Sequence, residues 1–201
     1  MFPPADGSIS VVEYDDDRDQ VVLGFTAHIL IAANVTQDWV DARLKQWDLS
    51  DVYLPPFLGE LARAADRRIN AIDLLALATP RPGPPSVPLV QLDAESTHPR
   101  VLRARRYRDE VRVWLTEHGV LIIGRGLTGR WEVAVEVDAA SRGRGVGRVL
   151  AQAARHLAPD GRPLWAQIAP GNAASVRAFL AAGFRPVGTE ALLVGHATPP
   201  E

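Results

Sequence analysis

The sequence predicts a mixed α/β fold in which a mostly antiparallel sheet is flanked by helices. Three observations carry this expectation. Trp131, Val133, Val135 and Val137 alternate with Glu132, Ala134 and Glu136, the period of two of a strand. Val146, Val149, Leu150, Ala153, Ala154 and Leu157 then fall on one face of a helix. Residues 110–115, 119–124 and 131–137 are three consecutive strand patterns joined by short turns at His118-Gly119 and Gly126 to Gly129, which favours an antiparallel meander.

The remaining elements follow in order. Residues 8–14 and 20–33 read as extended and as a β-hairpin around the acidic run Asp15-Asp16-Asp17. That run is a solvated turn, although three adjacent carboxylates also suit a cation. Thr36 to Trp47 reads as a helix with Val40, Leu44 and Trp47 on one face. A second helix starts at Pro56, a residue favourable in a first turn, and turns Leu58, Leu61, Ala62 and Ala65 inward. Residues 70–78 are too short and too evenly apolar to assign. Thr79 to Pro88 is a proline-rich break and the natural internal boundary. It separates an N-terminal region, 1–88, from a core, 89–197, although one continuous domain fits the length equally. Residues 89–92 suit a short strand, 98–108 an arginine-rich helix, 163–168 a strand, 172–182 a helix and 184–195 an extended tail.

Composition narrows the function. A length of 201 residues suffices for a proper core. The net charge of −2 gives no reason to expect nucleic acid as a partner. Lys45 is the only lysine, so basic charge rests on arginine. With no cysteine there is no disulfide, thiol nucleophile or cysteine-ligated metal site. Met1-Phe2-Pro3-Pro4 leads into no apolar run, so no signal peptide is expected, and no uncharged run is long enough to cross a bilayer. A cytoplasmic location fits these features, and a homodimer is compatible with them.

Two glycine loops compete for a phosphate. Gly124-Arg125-Gly126-Leu127-Thr128-Gly129 matches the dinucleotide pattern G-x-G-x-x-G, but that pattern needs a helix next, and the strand at 131–137 follows instead. It reads as a turn between strands. A nicotinamide-dependent oxidoreductase would require residues 130–142 to be helical. The second loop, Arg142-Gly143-Arg144-Gly145-Val146-Gly147-Arg148, does open a helix. There, N–H groups and the helix dipole favour an anion and the arginines add fixed charge. A tight strand-to-helix turn is the plainer reading of the same residues.

The downstream segment PLWAQIAPGNAASVRAFLAAGFRPVG, residues 163–188, places Asn172, Ser175 and Gly183-Phe184 in a telling order. Together with the loop pattern formed by Arg142, Gly145 and Gly147, it resembles the GNAT superfamily of N-acetyltransferases over roughly residues 109–195. The resemblance implies a GNAT-type sheet with a divergent N-terminal half, and acetyl-CoA as co-substrate. It implies that the strands at 131–137 and 163–168 splay apart, with Val135 and Val137 offering backbone groups to the pantetheine arm. Residues 142–148 would meet the pyrophosphate and Asn172 the arm, although Asn172 also suits a helix N-cap.

The implied reaction is direct attack of an amine, on a small molecule or a protein, upon a coenzyme A thioester. Glu132 and Glu136 share one face of the central strand and are the candidate bases, Glu132 fitting the family placement slightly better and Glu136 lying closer to the expected thioester; charges at a solvated strand face, or ion pairs with arginines, are the plainer reading. The sequence departs from the family at Phe179, where a proton-donating tyrosine is common, because phenylalanine cannot donate. Tyr107 is an alternative acid, and a non-catalytic acyl-CoA-binding or regulatory protein is the rival function. The run Arg100, Arg103, Arg105, Arg106, Arg108 and Arg112 suits a solvated face, or recognition of an acidic acceptor or of the cofactor's 3′-phosphate. No H-E-x-x-H, G-x-S-x-G or Walker pattern is present, so no metal is expected.

Overall fold

A computed structural model describes residues 2–12, 14, 19–44, 48–93, 96–97 and 99–196, apart from the side chain of Arg100. The acidic run Asp15–Asp17, Lys45 and Trp47 lie outside the described residues. The chain forms two compact units, Met1–Leu74 with Val187–Glu201, and Leu75–Pro186.

The first unit contains strands β1 (Ser8–Val12), β2 (Gln20–Phe25) and β3 (His28–Ala32), and helices α1 (Gln37–Asp41) and α2 (Pro55–Ala64). It also holds the beginning of β4 (Arg68–Ala78) and most of β10 (Arg185–Val194). The chain thus passes from one unit to the other within β4 and returns within β10.

The expected hairpin differs from the one formed. β2 and β3 are themselves the antiparallel hairpin, Val21 opposite Ala32 and Phe25 opposite His28, while β1 lies parallel to β3. The turn at Thr26-Ala27 has no glycine or asparagine, and Ala27 takes φ +49°, so residues 20–33 carry no turn signal. β10 pairs antiparallel with the other edge of β2. Thr36 caps α1 by accepting from Trp39 N–H, and the helix ends at Asp41, well short of the expected Trp47. Leu58, Leu61, Ala62 and Ala65 are buried, as their helical spacing predicts. Leu58, Leu61 and Ala62 join Val22, Ile29, Ile31 and Leu193 in the core of this unit.

The second unit holds the end of β4, then β5 (Val90–Gln91), α3 (Pro99–Arg105), β6 (Asp109–Thr116), β7 (Gly119–Arg125) and β8 (Trp131–Val137). After these come α4 (Val146–His156), β9 (Leu164–Ile168) and α5 (Ala173–Ala181). The strand order is β5-β6-β7-β8-β9, with only β8 and β9 parallel. This is the mixed, mostly antiparallel arrangement expected, meander included.

Period-two alternation sends Val120, Ile122 and Ala134 to one face, where Val101 and Ala104 of α3 pack. Gly119 faces the other way, toward Leu150 of α4. The proline-rich stretch 79–88 lies inside this unit, held to the end of α4. Arg81 N–H donates to the Arg155 carbonyl at 2.8 Å, and Arg155 Nε donates to the Thr79 carbonyl at 2.9 Å.

One polar knot in the first unit has a pH signature. Asp6 Oδ1 accepts from Ser8 Oγ at 2.7 Å and Ser8 N–H at 3.0 Å, and lies 3.0 Å from Nδ1 of buried His28. These Ser8 bonds, then that with His28, lower the Asp6 pKa from 3.8 to about 2. A carboxyl whose folded pKa is depressed stabilises the fold above its unfolded pKa and loses that contribution as pH falls through the folded one. Asp6→Asn is therefore expected to lower the urea midpoint at neutral pH. The gap to the wild type should close as the pH falls from 3.8 through about 2. Urea titrations at stepped pH check this.

Candidate active site

β8 has two unlike edges. Along β7 it pairs at every position from Trp131–Arg125 to Val137–Gly119. Along β9, among the described residues, it pairs only at Glu132–Trp165. Backbone groups of alternate residues point to opposite edges of a strand. Asp138 N–H, just past β8, donates to the His118 carbonyl on the β7 side at 3.0 Å. By alternation Glu136 and Ala134 address β7, whereas Val135 and Val137 address the side on which β9 departs. Val137 conforms, since its carbonyl accepts from Arg142 Nε at 3.5 Å.

The loop after β8 opens α4. A short 3-10 turn, Ala139–Ser141, is followed by Gly143 at φ +75° and Gly145 at φ +82°. Both glycines sit in left-handed backbone that other residues adopt at a cost. The first bond within the helix runs from Val149 N–H to the Gly145 carbonyl at 3.2 Å. The N–H groups of Val146, Gly147 and Arg148 therefore have no carbonyl inside the helix. The first turn has no acidic residue and no side-chain cap, and Arg142, Arg144 and Arg148 are exposed around it.

Gly147 differs from its neighbours. Its φ is ordinary, and a Cβ there would meet Ala178 Cβ of α5 and Val137 Cγ2, each at 3.6 Å. The start of α4, the end of β8 and α5 thus converge at this glycine. Asn172 caps α5, its Oδ1 accepting from Ser175 N–H at 3.0 Å. The cap uses the oxygen of an exposed side chain and leaves the amide NH₂ as a donor.

Of the two carboxylates on β8, Glu132 is 4 % exposed. Its Oε1 accepts from Arg130 Nε at 2.8 Å and from Gln167 Nε2 at 3.4 Å, and its Oε2 accepts from Arg108 Nε at 2.9 Å. The Arg130 guanidinium also lies over the Trp165 ring, 5.7 Å from its centroid. Glu136 is half-buried, nearer the loop.

The first glycine motif belongs to this cluster. A Cβ on Gly124 would lie 2.9 Å from Arg108 Cβ, one on Gly126 would meet the Glu132 carboxylate, and Gly129 has φ +69°. Two of its glycines make room for an ion pair and the third makes a turn before a strand; no helix follows.

Arginine ion pairs are the plainer expectation for Glu132, but the sequence places Arg108 in the arginine run, on a solvated face or as a recogniser of an acidic acceptor or the 3′-phosphate, not as Glu132's partner. Sequence reasoning missed Arg130, Gln167 and Trp165. Arg130 was open to discovery, standing two residues before Glu132 and so on the same face. Gln167 and Trp165 come from another element and carry no local signal. Arg103, Arg105 and Arg106 of the arginine run are exposed. Phe179 is buried and packs edge-on to Phe184, centroids 4.9 Å apart, so it is a core residue. Among the described residues no three His, Cys, Asp or Glu side chains group to hold a metal, and no helix is long and apolar enough to cross a membrane.

The model of the acetyltransferase (GNAT) family matches residues 91–184, which span β6 to β9, α4 and α5. A GCN5-related N-acetyltransferase from Kribbella flavida superposes with a TM-score of 0.46 at 17% identity, covering 71% of this chain and 65% of that one. A second, from Sphaerobacter thermophilus, gives 0.44 at 15% identity, with coverage of 73% and 58%. A functionally unknown conserved protein from Staphylococcus epidermidis gives 0.46 at 11% identity, with coverage of 96% and 95%. The chain spans less than two thirds of the length of the first two. No curated protein matches it. Residues 91–184 are thus similar to the acetyltransferase (GNAT) family.

Proposed function

We propose that this protein transfers an acetyl group from acetyl-CoA to a primary amine of a small molecule or a protein. The supporting observation is the single-point pairing of β8 with β9 beside an arginine-bearing helix start. Backbone groups of Val135 and Val137 address the gap and suit the amides of a pantetheine arm. The N–H groups of residues 146–148 suit a pyrophosphate, as do the guanidiniums of Arg142, Arg144 and Arg148. The Asn172 NH₂ is a further donor for the arm. Acetyl-CoA supplies the acetyl group already activated as a thioester.

A protonated amine is not a nucleophile, so the protein must accept a proton. Glu132 is committed to two arginines. Glu136 lies on the same face, half-buried and nearer the loop, and we assign the proton acceptor to it.

Two variants test this reading. Alanine favours a helix over glycine by about 1 kcal/mol, and a Cβ at position 147 meets only ordinary contacts, so Gly147→Ala should melt no lower than the wild type. It should nevertheless bind coenzyme A about tenfold or more weakly by calorimetry, because the added methyl group narrows the space beside Val137 and Ala178 where the proposed phosphate site lies. Unchanged affinity places the pyrophosphate elsewhere. Glu136→Gln should lower kcat by about 10²-fold or more, with coenzyme A affinity retained. Thiol release with a panel of amines measures it, and full activity in this variant removes Glu136 as the base.

A further inference from the structure

We propose that Arg108, Arg130, Glu132 and Gln167 form a clamp that fixes the point where β8 and β9 part, and that Glu132 is a positioning residue rather than the proton acceptor. The proposal rests on the gap being the coenzyme cleft. The one β8–β9 pair, Glu132–Trp165, coincides with the cluster. Glu132 lies on β8 and Arg130 immediately before it, Gln167 and Trp165 lie on β9, and Arg108 lies just before β6.

Every strong bond converges on one carboxylate. Arg130 grips Glu132 at 2.8 Å and reaches over Trp165, 5.7 Å from the ring centroid, so its guanidinium touches both strands. Gln167, one pleat beyond Trp165, reaches back to Glu132 Oε1 at 3.4 Å. Arg108 holds Oε2 at 2.9 Å from the side of β6. Gly126 closes over the carboxylate so tightly that even a methyl group there would collide with it. Gly126 is fixed in turn, since its N–H donates to the Arg130 carbonyl at 2.9 Å.

A carboxylate enclosed in this way reaches an amine only by abandoning its guanidinium partners. Beyond Gln167 no further β8–β9 pair forms among the described residues, so the cluster marks the closed end of the gap. Bonds lying just behind a ligand site orient the groups that touch the ligand. Here they set how far along β8 the backbone of Val135 becomes available.

The test compares Glu132→Gln, Gln167→Met and Glu136→Gln with the wild type, using steady-state kinetics across pH and amide hydrogen exchange without coenzyme A. A clamp predicts that Glu132→Gln raises KM for acetyl-CoA about tenfold and speeds exchange at residues 131–133 and 164–166. The acidic limb of the kcat profile should survive in it and disappear in Glu136→Gln. Loss of that limb in Glu132→Gln with KM unchanged overturns the proposal. If Glu132→Gln does not fold, Gln167→Met decides: it should move KM and exchange in the same direction, and no change in either overturns the clamp. Failure of the wild type to bind coenzyme A sinks the functional reading instead, while the exchange arm still tests the clamp.

Discussion

The arrangement depends on β8 being fully paired along one edge and paired once along the other. A strand cannot direct all its backbone groups to one neighbour; half of them face the opposite side whatever the sequence. Where β9 leaves, the groups of Val135 and Val137 address a gap while the residues themselves are half-buried. Buried backbone groups need a polar partner, and an extended molecule with its own amides supplies one at the spacing of a missing strand. The start of α4 continues the same demand, because its first N–H groups lack carbonyls within the helix. Strand edge and helix start form one run of hydrogen-bonding capacity, converging at Gly147.

The two glycine motifs show what a sequence carries and what it omits. Both look suited to phosphate. The local periodicity separates them, since a strand follows Gly129 and a helix follows Gly145, and that much was legible. The reason for each glycine was not. Gly124 makes room for Arg108 and Gly126 for the Glu132 carboxylate, contacts between residues of different elements that no local pattern encodes. Gly143 and Gly145 serve backbone conformation, whereas Gly147 has an ordinary φ and sits where α4, β8 and α5 converge.

The same division runs through the fold. Periodicity located α2, the β6-β7-β8 meander, α4, β9 and α5 within a few residues, because it is written in the positions themselves. Pairing is not. β1 lies parallel to β3, with Ser8 and His28 meeting across the strands. β4, RINAIDLLALA, shows no clean alternation because most of its residues are half-buried or buried. In the candidate site, the loop and the Asn172 cap were legible for the same local reason. Arginine ion pairs of Glu132 are expected from the sequence; which arginines make them was legible only at Arg130, its neighbour in sequence.

Phe179 bears on whether the chain catalyses or merely binds. It fills the core against Phe184, so α5 offers no phenol there. Among the described residues, Tyr14 and Tyr53 donate their hydroxyls to the carbonyls of Asp19 and Thr189. Burial, followed by the Glu190 charge, also pushes the Tyr53 phenol well above its ordinary value. Tyr107, half-buried beyond α3, is the remaining tyrosine. An acid is nonetheless the less necessary partner. A thiol ionises near pH 8.5 and an alkylammonium near 10.4, so a thiolate departs in preference to the amine without a proton being delivered first. The amine, by contrast, cannot attack until it has lost a proton. The proposed acetyl transfer therefore needs a proton acceptor more than a phenol on α5, and a core phenylalanine at position 179 is compatible with it.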